Sequence, residues 1–215
     1  MGGAGEDAEM KSGLPILQFD GAPAFEAWLV DNPDPKGAWV KLAKQGAPEP
    51  ALRRAQAIDC ALCHGWIDGQ IARFDDEFFL TRFTPRAARS RWSAANRKRA
   101  QALIAAGRVG PRGLAAIEAA KADGRWDAAY PSAATAATPD DFQIAIKGKQ
   151  RAALAFERLD GANRYALLYR LHHASAARRA EMIARFVTML ERGETIHPPR
   201  KGRKANEGAK RAKPD

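Results

Sequence analysis

Eight residues, Pro131–Thr138 (PSAATAAT), separate two different hydrophobic rhythms in this chain. Upstream, short β-favouring runs alternate with amphipathic helical stretches. Downstream, apolar residues recur only at helical spacing. A run of small residues next to proline has little to bury and no reason to continue a helix, so it reads as a linker. The class that follows is α+β: an N-terminal unit of helices and a small antiparallel sheet over residues 14–130, then a small all-helical unit over 139–197. Residues 1–13, Gly-rich and aperiodic, are expected to be a flexible arm. Residues 198–215 lack any hydrophobic side chain larger than alanine and are expected to be a disordered basic tail.

Within the first unit, Phe25, Trp28 and Leu29 share one helical face behind Pro23. Ala38–Leu42 reads as a strand, and Pro50–Cys63 as a helix with Leu52, Ala55, Ile58 and Leu62 along one side. Trp66–Phe74 and Phe78–Phe83 read as paired strands joined at Asp75-Asp76-Glu77. A helix is expected from Ser90 to about Ala106, and another from Pro111 to Ala122. In the second unit, two stripes are spaced i, i+3, i+4, i+7: Tyr165, Leu168, Tyr169, His172, and Ile183, Phe186, Val187, Leu190.

Charge narrows the function classes. Of the net +10, the acid-free segment Arg82–Arg112 supplies nine and residues 198–215 supply five, so the remainder is mildly acidic. Local fields of this kind point to anionic partners more than a global pI does. No apolar run approaches the roughly 20 residues that span a bilayer. The first charges are Glu6, Asp7 and Glu9, unlike a secretory leader, so the expected location is cytoplasmic.

Cys60-Ala61-Leu62-Cys63-His64 spells a c-type haem attachment site. Attachment belongs to exported chains, whereas here the pattern closes a helix and runs into a strand. The two cysteines are therefore expected to pack, and no haem is assigned. There is no second Cys pair, and the other histidines are distant in sequence, so no metal ligand or cofactor is assigned either.

Three stretches, ALCHGWIDG, RFTPRAARSRWSAAN and GRW followed by AY at 129–130, together with the C-terminal PDDFQIAI…RYALLYRLHHA…MLERGETIHP, resemble the YdeI/OmpD-associated, or bacteriocin-protection, family over residues 20–198. The resemblance implies a bacterial protein connected with stress and with tolerance of antimicrobial peptides. Two places depart from the family pattern. His64 stands where an aromatic is usual, and His173–Arg179 replaces a segment that usually reads TAKKPETR, without its Thr-Arg pair.

The candidate site follows from the basic segment. Ser90 is read as a helix N-cap with Ser93 in the first turn, where N–H groups and the helix dipole favour an anion. Arg86 and Arg89 crowd that end, Arg82 precedes them on the strand, Trp92 offers a flat face, and Asn96 lies one turn on. With Trp66 and Asp68 these form the ligand-binding set, suited to a phosphate or carboxylate. Asp68 has no readable partner to orient a proton and is expected to pair with an arginine, so no catalytic residue is assigned.

The leading reading is a non-enzymatic protein that binds an anionic small molecule or an acidic protein. The alternatives are a nucleic-acid binder using the 82–112 face and the tail, and a small-molecule enzyme with a pocket near Trp66, Asp68 and Arg86. Aromatics for base stacking are sparse in the basic segments, which weighs against the first alternative. Deleting residues 198–215 is expected to move the thermal midpoint by no more than about two degrees, because stability resides in packed cores. A larger drop would mean that the tail docks on the acidic body.

Overall fold

The structure, a computed structural model, describes residues 9–32 and 36–198. Residues 1–8 of the expected arm and 199–215 of the expected tail lie outside that range. The chain divides into two compact units between Ser132 and Ala133.

The first unit holds β1 (Met10–Lys11), β2 (Leu14–Leu17), α1 (Ala22–Asp31), β3 (Ala38–Ala43), α2 (Arg54–Cys63), β4 (Trp66–Arg73), β5 (Phe78–Pro85), α3 (Ala94–Ala105) and α4 (Pro111–Ala122). The strands form one sheet in the order β1-β2-β3-β5-β4. It is mixed and not wholly antiparallel: β2 and β3 run parallel, with Ile16 opposite Trp39, because α1 carries the chain back between them. Met10 and Lys11, expected in the arm, pair with Pro15 and Leu14. The β4–β5 hairpin turns where expected. Asp75 Oδ1 accepts the backbone N–H of Glu77 at 2.8 Å and of Phe78 at 2.6 Å, which holds the turn.

Pleating sorts the strand residues to two faces. Val40, Leu42, Trp66 and Phe83 meet Phe25 and Leu29 of α1 and Ala57, Cys60 and Ala61 of α2. On the opposite face, Leu14, Trp39 and Leu80 form a smaller cluster. The far side of α2 carries Ile58, Leu62 and Cys63, which pack with Trp92, Ala100, Leu103, Ile117, Ala120 and Trp126. α2 is thus buried on two sides, which explains its run of alanine and cysteine where an ordinary surface helix would show a polar stripe.

Two helix starts differ from the sequence expectation. Residues 51–53 are extended because Ala43 N–H donates to Leu52 O at 3.0 Å and Leu52 N–H to Phe19 O at 3.2 Å, so α2 begins only at Arg54. α3 begins at Ala94, not near Ser90. Ser93 is its N-cap, its hydroxyl accepting the Asn96 N–H at 3.1 Å. The Ser90 hydroxyl instead accepts the Ala87 N–H at 3.1 Å and closes a turn.

The second unit consists of α5 (Asp140–Lys147), α6 (Gln150–Arg158), α7 (Gly161–His172) and α8 (Ala176–Glu191) around Phe142, Phe156, Leu167, Leu171, Phe186 and Leu190. The α8 stripe faces this core as expected. On α7 the buried face is Asn163, Ala166, Leu167, Leu168 and Leu171. Tyr165 and Tyr169 are half-buried and His172 is exposed, so the expected stripe is rotated from the core. Large aromatic surface drew that expectation, but the tyrosine hydroxyls and the imidazole favour the rim. Arg179, in the segment that departs from the family pattern, anchors three helices. Its Nη2–H reaches Asp141 Oδ1 at 2.9 Å, its Nε–H reaches Oδ2, and its Nη1–H reaches Leu171 O at 2.6 Å.

The C-terminus of α2 meets the N-terminus of α4 almost backbone to backbone. Gly110 N–H donates to Cys63 O at 3.0 Å, and Gly65, at φ 73°, turns the chain out of α2. A Cβ at Gly113 would lie 2.4 Å from Cys63 O and 2.8 Å from Leu62 O. The GRVGPRG stretch (107–113) is therefore a docking seam between helices. Gly113→Ala, which in a free helix would gain about 1 kcal/mol, is expected to lower unfolding stability by about 1–3 kcal/mol through overpacking. Chemical denaturation measures it, and an unchanged or raised midpoint would show that the seam has slack.

Candidate anion-binding site

The site grows from the end of β5. The Arg86 N–H donates to Gly65 O at 2.9 Å, which brings the residue beside the α2–β4 turn. Its guanidinium then lies over Trp92, with Cζ 3.6 Å from the ring centroid. Trp92 is only 2% exposed and makes an edge contact with Trp126 at 4.8 Å between centroids. Backbone bonds clamp it from behind: Tyr130 N–H to Trp92 O at 3.0 Å, and Ala94 N–H to Tyr130 O at 2.8 Å. Arg125 Nη1–H reaches Ser90 O at 2.8 Å, and Arg97 Nη1–H reaches Trp126 O at 3.0 Å. The residues of GRW and AY (124–130) are thus the brace that holds the Arg86–Trp92 stack.

Arg86 itself is incompletely satisfied. Nη1–H donates to Arg91 O at 3.3 Å, whereas Nε and Nη2 are buried without a hydrogen-bond partner among the described residues, as is Trp92 Nε1. Burial pushes the Arg86 guanidinium down to about 10, with the Asp68 charge opposing the shift. A buried guanidinium edge of this kind costs stability until an acceptor meets it.

Asp68, on β4, is not a free base. Arg54 Nη2–H lies 3.2 Å from Oδ2 and Asn96 Nδ2–H 3.4 Å from Oδ1, so both oxygens are engaged. The expected ion pair forms, but with Arg54 from α2 and not with the basic segment. Arg54 was not readable as a site residue, because only the packing of α2 on the sheet brings its first turn over β4.

The structure gathers Asp68, Arg86, Trp92 and Asn96, with Ser93 beside them as the N-cap of α3 and Ser90 closing the turn before it. It does not gather the others. Trp66 is 1% exposed and packs in the main core, edge-on to Trp28 at 5.5 Å. Arg82 is paired with Trp39 across the ladder and shares the face of Leu80, opposite the face of Trp66 and Phe83. Arg86 lies just past Pro85, the last residue of β5, and is turned toward Gly65, so its side chain leaves the ladder to which Arg82 belongs. Arg89 is exposed on the turn after β5.

The basic segment likewise does not form one open face. Arg99 pairs with Asp59 at 2.7 Å, Arg108 with Glu26 at 3.1 Å, and Arg97 and Arg86 are held as described. No helix of the described residues is long and apolar enough to cross a membrane. Among the same residues there is no cluster of three potential metal ligands.

Residues 135–193 match the family described as Bacteriocin-protection, YdeI or OmpD-Associated. Residues 17–116 match a second family, described as Domain of unknown function (DUF8412). The resemblance read over 20–198 is therefore carried by the second unit, and the first unit matches a separate domain. No curated protein and no solved structure matches the chain.

Cys60 and Cys63 point into two different cores, Cys60 toward the sheet and Cys63 toward α3 and α4. Desolvation pushes the Cys60 thiol up to about 12, with Glu26 adding to it, and also raises Cys63. Thioether bonds to a haem would require both to leave packed positions. Both thiols are expected to be inert to a disulfide reagent at pH 8 in the folded protein and to react fully after unfolding. Because the folded state holds these protons more tightly, their contribution to stability is complete below about pH 9, the ordinary thiol value, and falls as pH rises toward 12. Fast reaction of the native protein, together with stability unchanged from pH 8 to 10, would contradict this picture.

Proposed function

We propose that the chain is a binding protein of the bacteriocin-protection type, acting in the cytoplasm through an oxyanion site at Arg86. The observation that supports this reading is the guanidinium fixed on Trp92 with two buried, unmatched N–H groups. A preorganised, weakly solvated cation of this kind gains much more from an anion than an exposed arginine does. Its role in tolerance of antimicrobial peptides or envelope stress follows the family matched by the second unit.

Catalysis is the weaker reading. Asp68 is held by two donors, and Trp66, which would have lined the enzyme pocket, is core. Nucleic-acid binding is weaker too, because Arg99 and Arg108 already have carboxylate partners and Arg82 faces away.

Phosphate or acetate, at ionic strength matched with chloride, is expected to raise the unfolding free energy of the wild-type protein. The gain is about 2.7 kcal/mol at 100 times the dissociation constant. Arg86→Ala is expected to lose this gain and Arg89→Ala to keep it. Equal gains in wild type and Arg86→Ala would mean general salting-out, and the site would then have no ligand role.

A further inference from the structure

We infer that the anion taken by the Arg86 site is a carboxylate, gripped side-on by Nε–H and Nη2–H of Arg86. This rests on the anion-binding reading above and makes it more specific.

Three observations lead there. First, the occupied donor is Nη1, bonded to Arg91 O, and the two unmatched nitrogens are Nε and Nη2. Those two donors lie on one edge of the guanidinium with parallel N–H directions. Their separation matches the two oxygens of a carboxylate, the fork-to-fork arrangement. Had Nη1 been free and Nε occupied, the remaining donors would not have presented this side-on edge.

Second, the stack on Trp92 fixes the plane in which an acceptor must lie, because the ring covers one guanidinium face at 3.6 Å. A carboxylate fits within that plane. A phosphate gripped by the same edge sends its remaining oxygens above and below it, one of them toward the aromatic side.

Third, Asp68, whose charge acts on Arg86, and Asp123, beside the brace, already have other donors. Asp68 is shared between Arg54 and Asn96, and Asp123 is bound by Arg125 through Nε at 2.7 and 2.9 Å. The guanidinium edge is therefore left to a carboxylate from outside, as a small organic acid or as a carboxylate group of a larger molecule.

The test follows the side-chain Nε–H signal of Arg86 and the indole N–H of Trp92 by nitrogen-15 NMR. Full-length protein is titrated with sodium acetate, sodium phosphate or neutral acetamide, with chloride holding ionic strength constant. Acetate is expected to saturate the Arg86 shift with at least fivefold tighter binding than phosphate, and acetamide to leave it unmoved. Arg86→Lys keeps a charge but loses the two-donor edge. It is expected to weaken acetate more than tenfold and phosphate much less. Should that variant not fold, the wild-type comparison alone decides. Phosphate binding as tightly as acetate overturns the carboxylate assignment while leaving the anion site standing. If neither anion moves the Arg86 signal, the site reading and the carboxylate assignment fall together. Saturable binding that also appears with a short peptide bearing a free C-terminal carboxylate would extend the class to chain-borne carboxylates, whereas binding of free acetate alone would restrict it to small acids; either supports the assignment.

Discussion

Burial of α2 on two opposite sides governs the first unit. Ala57, Cys60 and Ala61 close on the sheet, while Ile58, Leu62 and Cys63 close on α3 and α4. A helix enclosed in this way needs small side chains wherever a neighbour approaches closely, since interiors tolerate neither voids nor overlap. The same constraint sets its exit. Gly65 must adopt a positive φ, and Gly113 must lack a Cβ, for α4 to dock on the last carbonyls of α2. The cysteines that spell a haem motif are part of this packing.

The Arg86–Trp92 stack is a consequence of that arrangement. Once α2 ends at Gly65, the end of β5 is tied to it through the Arg86 N–H, and the following loop must pass over α3's start. Trp92 fills the α3–α4 side of the core, so its remaining face is available to the guanidinium. Arg125, Trp126 and Tyr130 then fix the segment from outside. Three sequence stretches that look unrelated along the chain meet at one place, and a polar group is enclosed there. Buried polar groups of this sort cost stability in isolation and become useful when a partner completes them.

The candidate site was partly legible. Arg86, Trp92 and Asn96 could be chosen because a guanidinium, a flat ring and a polar group stand close together in sequence around a helix start, and Asp68 as a carboxylate on the preceding strand of the hairpin. Arg82 was misplaced, because four residues along a strand and its following turn do not stay on one face once the chain leaves the sheet. Ser90 and Ser93 look alike as N-caps in sequence. Which one caps α3 depended on Tyr130 pairing with Trp92 and Ala94 on either side of Ser93, contacts 38 and 36 positions away. Arg54 gave no signal at all, since its pairing with Asp68 exists only through the packing of α2 on β4.

Sequence alone determined the α+β class, the β4–β5 hairpin and the Pro111–Ala122 helix, and it placed a linker at residues 131–138. These follow from local periodicity and turn chemistry, which act over a few residues. It also determined that charge is concentrated in particular segments. Tertiary structure decided the parallel pairing of β2 with β3, the face to which each arginine points, and which cations are already neutralised by carboxylates such as Asp59 and Glu26. Those outcomes depend on which distant surfaces must be buried together. A basic segment read along the chain therefore became, in three dimensions, two arginines paired with carboxylates, Arg99 and Arg108, and two with buried unmatched nitrogens, Arg82 on one face of the sheet and Arg86 stacked on Trp92.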